Sequence, residues 1–576
     1  MAAAALLSIT LVPVMMGYLI RGKIISEQQN PVNRLLHAMH TPSLKLAMRW
    51  RGLTIILALG LLAATYYPYS KLGNEFMPPL DEGDILYMPT TFPGISITKA
   101  REVLQQTDRI LKTFPEVHHV FGKVGRAETA TDAAPLSMTE TTIRLKPRDK
   151  WPDPKKTTQQ LMSEMDKAIH FPGVANAWTM PIKTRIDMLS TGIKTPIGIK
   201  VSGENLTVLQ RISKDIEQAM KMMPDTLSAF GDRAVGGYYL DFDIDREQAA
   251  RYGLTVGDVQ DVIQSAVGGM NITETVEGLE RYPVNLRYPR ELRDNLETLR
   301  RVLIPTPTGV QIPLTMVAKL ELRRGPPSIK SEDARPNAWI YVDIKTSDIG
   351  GFVAKAKRVL AEQVDIPPGY TVFWSGQFEY MERAAKRLQI VVPATLLIIF
   401  LLLYFNFRNV SEPVIIMLAL PFGVIGGIWL IYLNDYNLSV AVYVGFIALA
   451  GMAAEIGVLV LSFIDIEIAK RRAASEIPLS TAEIREATQS ATSLRVRPVA
   501  MTALSTMAGL IPIMFSTSTG SDVTHRIAAP MLGGMLTVLI LNLLVLPVIY
   551  SFVLQFQEWW KRRELEKTQS QEIQEK

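Results

Sequence analysis

The chain has 576 residues, of which 48% are hydrophobic, and its formal net charge is +5. It contains no cysteine, which excludes disulfides and thiolate metal sites, but it contains 25 methionines. The modest charge does not indicate nucleic-acid binding, and no P-loop, nucleophile motif or histidine–carboxylate cluster in one segment predicts an enzyme.

Seven stretches are apolar and long enough to cross a membrane, since a span needs about 20 mostly apolar residues. We place them at about 2–20, 52–69, 389–405, 412–432, 440–464, 499–517 and 528–554.

Basic residues cluster in three of the connections and tails, and all three fall on one side of the membrane if seven spans alternate. By the positive-inside rule that side is cytoplasmic, so we predict a multi-pass protein of the bacterial inner membrane with its large domain in the periplasm. The residues concerned are Arg21, Lys23, Arg34, Lys45, Arg49 and Arg51, then Lys470, Arg471, Arg472, Arg485, Arg495 and Arg497, then Lys561, Arg562 and Arg563.

These features predict four regions. The sequence starts abruptly inside a span without a signal-peptide pattern, which suggests a piece of a longer polytopic protein, although a genuine first helix with its N-terminus outside is the alternative. The regions are 1–69 (two spans and a cytoplasmic connection), 70–388 (periplasmic domain), 389–555 (five-helix bundle) and 556–576 (cytoplasmic tail).

The periplasmic domain alternates short strand patterns with amphipathic helix patterns, in two successive β-α-β sets. This rhythm predicts two ferredoxin-like units, interrupted at about 255–335 by a subdomain rich in Pro, Arg and turns. The predicted strands are 84–92, 116–125, 139–147, 196–203, 238–245, 337–345 and 370–376, and the predicted helices are 96–114, 157–168, 205–222 and 350–363. The stretch "RIDMLSTGIKTP" (185–196) is interpreted as a loop.

Several local stretches resemble the heavy-metal branch of the resistance-nodulation-division (RND) exporters, and most closely its copper/silver members. They are "DREQAARYGLTVGDVQ" (245–260), "VEGLERYPVNLRYP" (276–289), "SGQFEYMERA" (375–384), "GFIALAGMAAEIGVLVL" (445–461) and "LRVRPVAMTA" (494–503).

The resemblance covers essentially all of 1–560 but only the C-terminal half of a family member. It implies an α-helical membrane bundle of about seven spans plus an α+β periplasmic domain. It also implies a cation/proton antiporter without a cofactor, acting as a homotrimer with a periplasmic membrane-fusion adaptor and an outer-membrane channel, and an N-terminal half that is missing here. The segment 255–335 would be the docking region for that channel.

In copper/silver members three methionines hold the ion, and the resemblance places them here at Met88, Met138 and Met188. Thioether sulfur is soft and uncharged, which suits Cu(I) and by extension Ag(I), and it binds without releasing a proton. Glu140 stands at a matching acidic position and would share a strand face with Met138.

Other candidates are less direct. Met16 matches a family position and Met270 lies next to one, so both are candidates for further steps of a metal path. Four histidines, His37, His40, His118 and His119, are predicted to be surface residues, and the last two are expected to alternate along a strand.

Glu455 lies deep in the fifth predicted span, where a carboxylate is costly and therefore a functional candidate. The resemblance makes it part of a proton relay. Copper-branch members carry a lysine directly after the Arg-x-Arg-Pro motif, whereas Val499 stands there in this sequence. Two alternatives stay open: an exporter of another metal or compound, and an inactive truncated half that only binds metal in the periplasm.

Overall fold

The computed structural model describes residues 2–19, 31–78, 80–125, 135–474, 478–516, 518 and 520–574. The chain forms two compact units. The first, called the helical unit, comprises 1–82, 346–355 and 377–576, and the second, called the sheet unit, comprises 83–345 and 356–376. The predicted basic residues Arg21 and Lys23 lie outside the described part of the chain.

In the described part of the chain, four helices precede the sheet unit: α1 (Ala2–Leu19), α2 (Pro31–Arg49), α3 (Arg51–Ala64) and α4 (Tyr66–Lys71).

The first sheet of the sheet unit is antiparallel throughout and has the strand order β2-β3-β1-β4. Its helices start where the sequence provides N-caps: Ser96 accepts the Lys99 N–H, and Thr157 and Gln160 form a capping box. The elements are β1 (Asp84–Tyr87), α5 (Ile97–Lys112), β2 (Val117–Val124), β3 (Thr139–Leu145), α6 (Thr158–Ala168), β4 (Trp178–Thr179) and α7 (Pro181–Thr191).

The rest of the sheet unit contains a second sheet and a group of shorter elements, and the helix at 349–363 begins in the helical unit, which includes 346–355. In chain order these are β5 (Ile197–Ser202), α8 (Leu206–Lys221), β6 (Thr226–Gly231), β7 (Gly237–Ile244), α9 (Arg246–Arg251), α10 (Val256–Val262), β8 (Met270–Glu277), β9 (Glu280–Leu286), α11 (Leu296–Arg300), β10 (Leu303–Pro305), β11 (Gln311–Pro313), β12 (Ala318–Gly325), β13 (Lys330–Glu332), β14 (Arg335–Ile344), α12 (Ile349–Gln363) and β15 (Thr371–Gly376).

The second sheet has the strand order β6-β14-β5-β15, which matches the order of the first sheet. One of its strands differs from the prediction. Strand β14 pairs with β5 along one edge, with β6 and β13 along the other, and β15 pairs with β5. The predicted strand at 238–245 is β7, but it pairs with β12 in a separate two-stranded sheet. Strand β6 is not indicated by the sequence pattern. It pairs with β14 in the second sheet, where the strand at 238–245 was expected.

The remaining helices belong to the helical unit and are α13 (Gln377–Phe407), α14 (Ser411–Leu433), α15 (Val440–Ala473), α16 (Thr481–Met514) and α17 (Ser521–Gln574). A buried apolar core joins them, with Ile416 of α14, Val460 of α15 and Leu546 of α17 among its members. Small residues permit close approach: Gly426 and Gly533 bring the backbones of α14 and α17 together.

Six helices in the described part of the chain are long and apolar enough to cross a membrane, not the seven predicted. They are Arg51–Lys71, Gln377–Phe407, Ser411–Leu433, Val440–Ala473, Thr481–Met514 and Ser521–Glu564. The first predicted span corresponds to α1, whose described apolar stretch, Leu6–Leu19, is shorter than a span.

Helix α16 also corrects the sequence-based boundaries, because it begins at Thr481, well before the predicted span at 499. Its polar first half carries Arg485, Arg495 and Arg497, which the charge pattern assigns to a connection. A capping box at Ser480 and Glu483 starts the helix there, so capping and not hydropathy sets this boundary.

The histidine predictions are right for some residues and wrong for others. His118 and His119 are exposed as predicted, but they do not alternate: the register shifts between Val117 and His119, and the two rings lie 4.4 Å apart. His37 is half-buried, and His40 is buried because α2 packs on α17, where its ring Nε2 lies 3.1 Å from the Leu543 carbonyl oxygen. The surface prediction for His40 is therefore wrong.

Candidate metal-binding site

Two predicted ligands lie on one face of the first sheet. Tyr87 pairs with Thr141 and Thr90 bridges Met138, so in the same register Met88 stands opposite Glu140. Side chains directly opposite each other in a sheet project to the same side, as do residues two apart on a strand. Met88, Glu140 and Met138 therefore share a face, called the methionine face below.

The opposite face of this sheet is the core. Ile85, Tyr87 and Ile143 pack there against helices α5 and α6 together with Leu111 and Leu161. This alternation fixes the direction of the methionine side chains, because a one-residue register slip would turn them into the core.

Helix α7 lies against the methionine face. It contacts β1. The Thr184 hydroxyl on α7 is also within hydrogen-bond distance of the Thr179 hydroxyl on β4. Because Thr179 stands opposite Leu86, its side chain projects to the methionine face. The Arg185 guanidinium also lies 3.9 Å from the Glu140 carboxylate. Met188 follows Arg185 by three residues and so lies on the same side of the helix one turn later.

The structure therefore brings Met88, Met138, Met188 and Glu140 into one region of the sheet unit. Met88 is buried, with 1% of its surface exposed, while the other three side chains are half-buried. The Met88 side chain is therefore shielded from water, and the other three side chains are reached by water in part.

The predicted loop at 185–196 is wrong for its first half, which is helical. Pro181 occupies the first turn and Gly192 ends the helix, donating its N–H to the Met188 carbonyl oxygen at 2.9 Å. Gly192 has φ +76°, and a Cβ there would come within 2.3 Å of the Trp339 ring. Glycine is thus required both by the backbone conformation and by the close approach of α7 to β14.

Charged groups around the methionine face form ion pairs, and one acid there has two cations beside it. Lys123 lies 3.2 Å from Glu140, and Arg185 approaches the same carboxylate from α7. On α7 itself, the half-exposed Lys183 pairs with the buried Asp187 at 3.2 Å. Glu140 is therefore held in place by two cations.

Lys194 is a residue of the site that sequence reasoning missed. Its buried Nζ donates to the Met88 carbonyl oxygen at 2.8 Å and to the Thr90 hydroxyl at 2.5 Å. Burial and the nearby Lys330 lower the pKa of Lys194 to about 7, and Asp232 partly opposes them. Lys194 lies two residues after Gly192, in a polar segment of the sequence. Such a segment gives no signal that its lysine is buried.

The other predicted site residues lie elsewhere. Met270 is exposed at the start of the β8–β9 hairpin, and Met16 is exposed on α1. Within the described residues no three His, Cys, Asp or Glu side chains form a group that could hold a metal ion.

Glu455 lies near the middle of α15, as the sequence predicted, but its side chain is exposed. Its neighbours Ala453, Ala454 and Ile456 are buried, so α15 turns them inward and Glu455 outward. Val499 is completely buried in the core of the helical unit.

Comparison with known proteins agrees with this architecture. The sequence model described as "AcrB/AcrD/AcrF family" matches residues 1–554, and the chain belongs to this family. A crystal structure of a heavy metal efflux pump superposes with a TM-score of 0.82 at 28% identity, covering 91% of this chain and 52% of that one.

Among curated relatives, the chain is 47% identical over 560 residues to the cation efflux system protein CusA of Escherichia coli, covering 96% of this chain and 53% of CusA. It is 46% identical over 564 residues to the putative cation efflux system protein SilA of Salmonella typhimurium, covering 98% of this chain and 53% of SilA. Identity to the cobalt-zinc-cadmium resistance protein CzcA of Cupriavidus metallidurans is 34% over 554 residues, covering 95% and 51%.

The resemblance to the heavy-metal exporters of the CusA and SilA type is thereby confirmed. The chain spans about half the length of the curated relatives that it matches.

Proposed function

We propose that this chain is the inner-membrane subunit, or the C-terminal half of that subunit, of a proton-driven pump that exports Cu(I) or Ag(I). The observation that carries the proposal is the placement of Met88 and Met138 on one sheet face and Met188 on the helix against it. Similarity to two cation efflux proteins supports the same conclusion.

The chemistry of the methionine face favours a soft monovalent ion as the substrate. Three thioether sulfurs carry no charge and no proton, so an ion can bind and leave without a coupled protonation of its ligands. Zn²⁺ and similar ions prefer imidazole, thiolate or carboxylate ligands, and here the carboxylate on the methionine face, Glu140, is already paired with Lys123 and Arg185.

The assembly follows from the family. The pump would be a homotrimer joined to a periplasmic membrane-fusion adaptor and an outer-membrane channel, with 255–335 as the docking region and an N-terminal half completing each subunit. The two sheets of the sheet unit are proposed to be ferredoxin-like units, since β2-β3-β1-β4 and β6-β14-β5-β15 repeat one strand order.

Glu455 is the proposed proton carrier of the membrane part. A carboxylate in the middle of a spanning helix is costly unless it serves a function or meets a partner. Its outward orientation on α15 leaves its side chain open to a further helix or subunit. Substituting Glu455→Gln should abolish metal export and leave binding to the methionine face unchanged.

The test of the proposed function is metal tolerance. The chain is expressed in a bacterial host that lacks its own copper and silver exporters, with and without an N-terminal half from a related pump. Tolerance to Ag(I) or Cu(I) should appear in the complemented strain and be lost in Met88→Leu. The matched control is Met165→Leu, a fully buried methionine of the sheet core. Complemented cells that gain no tolerance would contradict the proposal.

A second candidate function is metal binding in the periplasm without transport. It is favoured by Val499, which is apolar and buried where copper-branch members carry a lysine. In that case Met88→Leu would abolish metal binding, and no strain would gain tolerance.

A further inference from the structure

Three polar side chains from three different helices meet inside the helical unit. The Tyr550 hydroxyl on α17 lies 3.0 Å from Oε1 of Glu412, the second residue of α14. The same hydroxyl is hydrogen-bonded to Oδ1 of Asp465 on α15. These three residues are called the acid–tyrosine cluster, and nothing in the proposed metal site involves them.

The cluster is removed from water on most sides. Glu412 is 5% exposed and Tyr550 1% exposed, while Asp465 is half-buried. Apolar residues of the same core enclose it, including Ile416, Ile464 and Leu546. In addition, Oε2 of Glu412 is buried without a hydrogen-bond partner among the described residues. Burying a charged carboxylate oxygen that accepts no hydrogen bond costs free energy. Protonation of the carboxylate removes the charge and with it most of this cost.

The number of hydrogen atoms available for the two contacts also indicates a bound proton. A tyrosine hydroxyl has one hydrogen and can donate it to only one of two carboxyl oxygens. The second close contact needs a hydrogen of its own, and ionised carboxylates have none. We propose that Glu412 and Asp465 together hold one proton, shared through the Tyr550 hydroxyl between them.

The charged groups around the cluster do not replace this proton. On α15, the charge of Arg472 acts on Asp465, but Arg472 is ion-paired with Glu558 of α17. On α3, the buried Arg51 lies 3.5 Å from the hydroxyl of Ser551, the neighbour of Tyr550.

Two further cations lie on α16 and α17. Arg495 of α16 stacks on the Phe463 ring of α15. Lys561 lies 3.5 Å from Glu558. In the described residues neither Arg472 nor Arg51 is ion-paired with the two acids, so a shared proton is the simplest way to remove one of the two acid charges.

The position suggests how such a proton would be used, a point that rests on the proposed function. Asp465 lies ten residues after Glu455 on α15, about 15 Å along the helix axis. It lies toward the end of the helix that carries Lys470, Arg471 and Arg472, which is the predicted cytoplasmic end.

The hydroxyl of Tyr550 can accept a proton from one acid and donate its own to the other. One proton can therefore enter at one carboxyl while another leaves from the other carboxyl, and the cluster's proton count is unchanged. Such a cluster would serve as a station for protons on their way to the cytoplasm.

Infrared spectroscopy of the full chain in detergent tests the site directly. A protonated carboxyl group has a C=O stretching band distinct from that of carboxylates, and wild-type protein at neutral pH should show one that Glu412→Gln and Asp465→Asn each remove. Each amide can donate to Tyr550, which leaves the remaining acid ionised. Tyr550→Phe should shift the band, because it removes the hydrogen bond to the shared proton.

The matched control is Glu467→Gln, two residues further along α15, where Glu467 pairs with Arg471 at 3.1 Å. This variant should keep the band. A wild-type spectrum without a protonated-carboxyl band, or a band that survives both acid substitutions, would overturn the proposal. The wild-type spectrum tests the shared proton even if a variant does not fold. The measurement needs no transport, so a failed tolerance assay leaves its result unchanged.

Discussion

One buried acid of the sheet unit and two acids of the helical unit are neutralised in different ways. In the sheet unit, Glu217 accepts hydrogen bonds from Arg233 at 2.7 Å, Lys221 at 2.6 Å and the Gly231 N–H at 3.0 Å. In the helical unit, Glu412 and Asp465 converge on one tyrosine hydroxyl.

The surroundings of the two units explain this difference. Lysine and arginine side chains beside a sheet can keep part of their length in water while their charged ends pair with an acid. Inside a spanning bundle a second buried charge is expensive, and neutralising an acid with a proton costs less. Glu217 is thus held by cations, whereas the surroundings of the acid–tyrosine cluster suit the shared proton proposed for it.

The largest effect expected from this division is on metal binding. Met88→Leu keeps the volume of the buried side chain but removes one of three sulfurs. We expect Ag(I) affinity of the full chain to fall at least about 100-fold, or roughly 2.7 kcal/mol. Titration calorimetry in detergent measures it.

One control and one contradicting result go with this prediction. The control Met165→Leu changes a methionine in the core on the other side of the sheet and should bind Ag(I) as wild type does. Strong residual binding in Met88→Leu would mean that acids elsewhere, including those of the helical unit, also hold the ion.

The second effect concerns the helix that carries Met188. Gly192→Ala places a Cβ against the Trp339 ring at a positive φ, and we expect it to lower the free energy of unfolding by about 2–3 kcal/mol. Gly83→Ala is the control: Gly83 has φ +80° but open space around it, so only the backbone cost of about 1 kcal/mol applies. Equal losses in denaturant titrations would show that α7 does not depend on contact with Trp339.

Much of the sheet unit was predictable because its signals are local. Strand β3 was expected at 139–147 and spans Thr139–Leu145, and α6 was expected at 157–168 and spans Thr158–Ala168. The error at Met188 was avoidable, since Pro181 and Gly192 are ordinary helix start and stop residues.

The acid–tyrosine cluster could not be predicted in the same way. Glu412 and Tyr550 are 138 residues apart, and each alone resembles a polar residue near the end of a span. His40 and Lys194 were missed for a related reason, since the chain that buries each of them, at Leu543 and at Met88, is distant in sequence. Long-range packing of this kind leaves no periodic pattern in the sequence.

The third prediction concerns pH and the paired acids of the sheet unit. Burial would raise the pKa of Glu217, but hydrogen bonds from Arg233, Lys221 and the Gly231 N–H outweigh it and lower the pKa below its ordinary value of 4.5. The unfolded chain therefore binds more protons than the folded chain as the pH falls through this range, so this contribution to stability is present above pH 4.5 and lost below it.

Glu217→Gln should therefore cost about 1.5 kcal/mol of unfolding free energy at neutral pH and progressively less as the solution is acidified. Denaturant titrations of the full chain at several pH values between neutral and acid measure both stabilities. A difference that stays constant with pH would indicate lost packing and not a lost charge. The exposed Glu102, paired with Lys99 at 3.1 Å, offers a control, because Glu102→Gln should change stability little at any pH.

The smallest effect is expected at the acid beside the metal ligands. Glu140→Gln removes the negative charge opposite Met88, which pairs with Lys123 and Arg185. An incoming Ag(I) would then meet one more net positive charge than in the wild type, and its affinity should fall about threefold to tenfold. The effect is limited because the Lys123 and Arg185 side chains are 42% and 51% exposed and water screens them.

Calorimetry at low and high ionic strength separates this charge effect from a change of shape. The loss in Glu140→Gln should shrink as salt rises, whereas the loss in Met88→Leu should not, because thioether coordination involves no charge on the ligand. If salt changes both losses of affinity equally, then Glu140 does not act through its charge while Met88 acts as a neutral ligand, and this interpretation of the site is wrong.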